Sequence, residues 1–165
     1  MKRRLAYVCA DPGVPVFGQK GCSIHVQEML RAFRESGLEI TLFACRLGGS
    51  PSADLRDIPV RLIPPPTAAA AVDREREAMD ANPVLRGLLE ESGPFDWVYE
   101  RYSLWSHSAV EFAADTGTPC IVEVNAPLIE EQHEGRTEEG QLGENAVESV
   151  LHHVPVQQTQ FFSRR

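Results

Sequence analysis

Residues 5–45 leave this chain few folds to choose from. Leu5 to Ala10 is a continuous apolar run, as expected of a parallel strand buried on both faces. The loop Asp11-Pro-Gly-Val-Pro-Val-Phe-Gly-Gln-Lys-Gly21 follows, and its prolines and glycines rule out regular structure there. Cys22 to Ser36 then has helical periodicity. Cys22, Val26, Met29, Leu30 and Phe33 share one face, while Gln27, Glu28, Arg31, Arg34 and Glu35 share the other. Gly37 suits a C-terminal cap, and Glu39 to Cys45 is rich in strand formers. Strand, glycine loop, helix and strand together match the length of a right-handed parallel crossover. Ligands of such sheets bind outside the carboxyl ends of the strands.

The rest of the chain repeats the alternation. Val60 to Ile63 predicts a short third strand, which Pro64-Pro65-Pro66 stops. The alanine-rich stretch from Ala68 leads into a charged helix, and Pro83 divides the helical region because it suits a first turn better than an interior. Gly93-Pro94 ends the second piece, whose stripe is Val84, Leu85, Leu88 and Leu89, before a fourth strand at Phe95 to Glu100. A helix over Ser106 to Thr116 and a fifth strand over Pro119 to Val124 complete the pattern. The expected fold is α/β, a Rossmann-like doubly wound, mainly parallel sheet. From about His133 the sequence turns polar, with one short helix expected at about Asn145 to His152. The expected division is a domain over 1–132 and a poorly patterned tail over 133–165.

Charge narrows the function. In 165 residues, 24 acidic against 16 basic side chains leave a net charge of -8, which opposes attraction to nucleic acid or anionic lipid. No apolar run reaches the length of a membrane span, and the run after Met1-Lys2-Arg3-Arg4 is too short for a signal peptide. Cys9, Cys22, Cys45 and Cys120 form no C-x-x-C pair and read as small buried hydrophobes, so no metal site is expected and the cytoplasm is the default compartment. The adjacent His152-His153 lacks supporting ligands.

Three segments meet at the strand ends. In the glycine loop, Gly13 and Gly18 have P-loop spacing, but Gln19-Lys20-Gly21 places the lysine one position late and supplies no magnesium-binding hydroxyl. The dinucleotide fingerprint is also absent, and the second strand closes on Ala44-Cys45-Arg46 without an acid. Tyr99-Glu-Arg-Tyr-Ser-Leu-Trp105 packs two charges among aromatics, either as a structural ion pair over the core or as a cleft. Glu123 in an apolar strand is a buried, paired carboxylate or a site group, and Asn125 can both donate to and accept from a hydroxyl-rich ligand. His25, just inside the helix after the loop, points into the same crevice or is structural; His107 begins a helix and is solvated.

The wording Leu5-Ala-Tyr-Val-Cys-Ala-Asp-Pro-Gly-Val-Pro-Val-Phe-Gly-Gln-Lys-Gly-Cys-Ser-Ile-His-Val26, then Gly37-Leu-Glu-Ile-Thr-Leu-Phe-Ala44, resembles the amino-terminal domain of family 4 glycosyltransferases. Val98-Tyr-Glu-Arg-Tyr-Ser-Leu-Trp105 and Glu123-Val-Asn-Ala-Pro-Leu128 fit the same family, so the similarity spans about residues 1 to 132. The resemblance implies one half of a retaining GT-B enzyme, the half that shapes the acceptor site for a sugar or other hydroxyl-bearing acceptor. It places Gly18, Gln19, Lys20 and Gly21 by the donor diphosphate, and His25, Arg101, Tyr102, Glu123 and Asn125 at the cleft. A nucleotide sugar is the implied co-substrate, with no tightly bound cofactor, and no residue is assigned as catalytic. The resemblance also implies a carboxyl-terminal, donor-binding domain with paired acids. Residues 133–165 lack that pattern, so the chain is expected to be an incomplete half, inactive without such a domain on another chain. A non-catalytic interaction module and a flavodoxin-like nucleotide-binding protein are the alternatives.

Overall fold

The computed structural model describes residues 2–125. Along the chain run β1 (Arg4–Cys9), α1 (Gly21–Glu35), β2 (Glu39–Ala44), β3 (Val60–Leu62), α2 (Ala71–Asp80), α3 (Asn82–Ser92), β4 (Trp97–Arg101), α4 (Ser108–Thr116) and β5 (Cys120–Glu123). The strands form one parallel sheet in the order β3-β2-β1-β4-β5. From β1 the chain winds outward through β2 to β3, then crosses to the other side for β4 and β5. The expected Rossmann-like doubly wound sheet is therefore present, and its switch point lies between β1 and β4. Among the described residues no helix is long and apolar enough to cross a membrane.

Side-chain alternation builds a core on each face. Leu5, Tyr7 and Cys9 of β1 pack with Ile40, Leu42, Tyr99 and the α1 residues Val26 and Leu30. Ala6 and Val8 face the other way, onto Phe43, Val98, Leu85, Leu89, Phe112 and Ala113. Double-sided burial explains why β1 reads as an unbroken apolar run, since neither face meets water. Gly37, at φ 82°, closes α1 in the left-handed conformation expected of its cap.

Pro83 lies in the first turn of α3, as its ring requires. The residue before it does more than start a helix. Asn82 is buried; its Nδ2 donates to the carbonyls of Met79 (2.9 Å) and Trp105 (2.8 Å). Its Oδ1 accepts from the backbone amides of His107 (2.9 Å) and Ser108 (3.1 Å). One side chain thus ties the α2–α3 corner to the loop that leaves β4.

Candidate functional site: the strand ends of β1, β4 and β5

The glycine loop is held from two sides. The amides of Val16 and Phe17 donate to the carbonyls of Arg46 (3.0 Å) and Leu47 (2.7 Å), and Gln27 Nε2 donates to the carbonyls of Val16 and Gly18, both at 3.0 Å. The contact with the loop after β2 has no room for side chains. A β-carbon at Gly48 would lie 2.1 Å from Pro15 Cβ, and one at Gly49 would lie 2.6 Å from the Phe17 carbonyl oxygen. The pinned loop delivers the chain to α1 with Lys20 extended at the N-cap, no side-chain cap and no acid in the first turn. Ser23 is buried, and its hydroxyl has no partner among the described residues; it faces Gly18, where an added β-carbon would sit 3.2 Å away. Free helix-end amides, a lysine and an unused hydroxyl make this end of α1 attractive to an anion.

One turn into α1, His25 reaches across to β5 and its Nε2 bonds Glu123 Oε1. The sheet register aligns Cys9, Arg101 and Glu123 side by side, so the last two project on the α1 side. Arg101 Nη1 lies 3.8 Å from Glu123 Oε2, with the side chains 12% and 16% exposed. With its amide oxygen turned to Arg101, Asn125 accepts from Nη1 at 2.5 Å and donates to Glu123 Oε1 at 3.0 Å. Beneath the cluster, Tyr7 and Tyr99 stack with centroids 5.1 Å apart, and Phe33 meets both edge-on. Burial raises both phenols above their ordinary range, and the nearby Glu123 carboxylate raises them further. Burial also pushes the Cys9 thiol up to about 12, so it is an inert part of the core.

Glu100 behaves differently from its neighbour. Successive strand residues point to opposite faces, so Glu100 and Arg101 do not pair with one another, and the structural ion pair of this segment is Arg101 with Glu123. Glu100 is fully buried on the α4 side. Oε1 accepts from Ser106 Oγ (2.6 Å), and Oε2 has no partner among the described residues. Burial pushes its carboxyl up to about 7, against the opposing pull of the Ser106 hydrogen bond. Ser106 also lines a small pocket with Asn82, Cys45, Pro64 and Trp105.

The sequence profile of the glycosyl transferase 4-like domain matches residues 20–156, most of the chain. The chain belongs to that family. The fold agrees with the expected Rossmann-like, parallel α/β sheet. Similar solved structures include the C-terminal domain of a hydrogenase from Pyrococcus furiosus, in two forms, and MurG from Acinetobacter baumannii. The first form is 14% identical, with 74% of this chain and 91% of that one covered and a TM-score of 0.49. The second is 16% identical, covering 74% and 92%, with a TM-score of 0.47. MurG is 16% identical over 73% of this chain and 33% of its own, with a TM-score of 0.38. No curated protein matches the sequence.

In this glycosyl transferase 4-like domain, His25, Arg101, Glu123 and Asn125 come together as one bonded cluster. Tyr102 joins through its backbone, its amide donating to the Glu123 carbonyl at 2.9 Å. Gly18, Gln19, Lys20 and Gly21 lie at the amino end of the helix that carries His25. His107 is the N-cap of α4, with Nδ1 3.1 Å from Glu111. His152 and His153 lie outside the described residues, as do Pro127 and the rest of the tail. Sequence reasoning missed Ser23, Gln27 and the Tyr7–Tyr99 stack. A usable signal existed for the last, since tyrosines in two strands become neighbours once Tyr7 and Tyr99 are placed in register. Among the described residues no three histidine, cysteine or acidic side chains are grouped as metal ligands.

Proposed function

We propose that this domain forms the acceptor side of a sugar-transfer site. The polar cluster of His25, Arg101, Glu123 and Asn125, with Tyr102 at its edge, binds a hydroxyl-bearing acceptor. The loop Gly18, Gln19, Lys20, Gly21 faces the diphosphate of a nucleotide sugar. The observation that carries this reading is convergence: one helix, α1, brings an uncapped amino end and His25 to the same side of the sheet's switch point. The departing diphosphate gains negative charge, and fixed amides and Lys20 can meet it without a metal. A second, donor-binding domain completes the site. Exposed Ile24 (47%), Ile121 (46%) and Val124 (65%) beside the cluster suit its docking. All four cysteines are unpaired, which fits a reducing, cytoplasmic setting.

Two measurements test the reading. Calorimetry with inorganic pyrophosphate is expected to show binding that Lys20→Ala weakens about tenfold, the worth of one charge-assisted hydrogen bond. Sugar transfer from UDP- and GDP-sugars by the chain alone is expected to be absent. Robust turnover contradicts the need for a second domain, and tight flavin binding with no pyrophosphate binding contradicts the reading as a whole.

A further inference from the structure

We infer that the acceptor carries an anionic group, a carboxylate or a phosphate on its sugar, and that Arg101 at the end of β4 selects it; the inference rests on the acceptor-side reading above. A guanidinium has five N–H donors and no acceptor. Among the described residues only one corner of the Arg101 fork is used. With the Asn125 amide oxygen turned toward it, Nη1 donates to that oxygen at 2.5 Å. Glu123 takes none of the donors. Its Oε2 stands 3.8 Å from Nη1, beyond hydrogen-bond reach, and its Oε1 meets His25 Nε2 and the Asn125 amide instead. Nε and Nη2 are left without an acceptor among the described residues.

That free edge has a defined preference. Its two N–H groups lie side by side, the arrangement that takes two oxygens of one carboxylate or phosphate. Asn125 fixes the opposite corner, so the fork is held before a ligand arrives. The side chain is only 12% exposed, which removes most of its water and still leaves a way in. Donors deprived of water are costly to leave unmade, and a charged acceptor satisfies them best. The surroundings agree in sign. Lys20 ends the glycine loop and Arg46 follows β2, both exposed, in a chain of net charge -8. The acid of the glycine loop, Asp11, is turned to the Gly13 amide at 2.7 Å. An acceptor whose hydroxyls reach the cluster therefore meets a cationic edge at Arg101, and a neutral acceptor would leave that edge unused.

The test compares three sugars on the full chain by nuclear magnetic resonance: methyl β-glucoside, methyl β-glucuronide, in which a carboxylate replaces the hydroxymethyl group, and glucose 6-phosphate. At least one anionic sugar is expected to bind about tenfold more tightly than the glucoside and to move the Arg101 Nε resonance, which the glucoside leaves in place. This comparison needs no variant. Arg101→Lys keeps a charge without the fork and is expected to lose most of the preference, whereas Lys20→Ala, at the diphosphate end, is expected to retain it. Equal affinity for the three sugars, or a preference with a silent Arg101 Nε, overturns the anionic acceptor and leaves the acceptor-side reading intact. A preference lost in Lys20→Ala and kept in Arg101→Lys overturns it as well, because the anion is then held by the diphosphate loop. Three sugars that move no resonance at this strand end overturn both.

Discussion

Glu100 and Glu123 are both sheltered carboxylates near the carboxyl ends of adjacent strands, and the chain treats them in opposite ways. Glu123 projects toward α1, where His25, Arg101 and Asn125 converge on it. Glu100 projects toward α4, has one hydroxyl for company, and is pushed up to about 7 by burial. A buried charge is tolerated when donors replace the lost water, and otherwise the group tends to keep its proton. The contrast separates a site built to present polar atoms from a core carboxyl that is partly neutral near physiological pH. It also explains why the acceptor proposal rests on the α1 side alone.

Breaking the paired side has the largest expected effect. Glu123→Ala strands the largely buried Arg101 guanidinium and is expected to lower stability by about 3 kcal/mol in urea unfolding, the usual scale for removing one partner of a buried pair. A loss below about 0.5 kcal/mol would place the cluster in effectively open solvent. The unpaired side is expected to respond with the opposite sign. Glu100 binds its proton more tightly folded than unfolded, so stability is greatest below its ordinary value of 4.5 and falls as pH rises toward about 7. Glu100→Gln is therefore expected to flatten that slope and to gain about 2 kcal/mol at pH 8. Ser106→Ala, which removes the one hydrogen bond that lowers the Glu100 value, is expected to move the same transition to higher pH. The smallest stability effect is expected at exposed Asn125. Asn125→Ala should change stability by less than about 0.5 kcal/mol while weakening glucoside binding about tenfold.

The same contrast shows what a sequence can and cannot reveal here. The sheet and α1 were legible because burial on two faces leaves an unbroken apolar run, and burial on one helical face leaves a 3.6-residue period. Glu123 stood out as a charge in an apolar strand, and the glycine loop as a backbone that must run close to something. That something proved to include the loop after β2, where Gly48 and Gly49 let Pro15 and Phe17 pack. The partner of Arg101 was not legible. Glu100 is its sequence neighbour, but the partner is Glu123, and only the β4–β5 register reveals it. Gln27 looked like a solvent-facing helix residue because nothing local indicates that its amide turns back to the loop. Nothing in the sequence singles out Asn82, because its four hydrogen bonds depend on the loop after β4 arriving beside it.

The central claim is that the α1 side of the strand ends is the acceptor-binding face. Amide chemical-shift mapping of the full chain with methyl β-glucoside tests it most directly. The account predicts perturbations at His25, Arg101, Tyr102, Glu123 and Asn125, with Glu100, Ser103 and Ser106 unmoved. Perturbations confined to Glu100, Ser103, Ser106 and Asn82 would contradict it and move the site to the opposite face of the sheet.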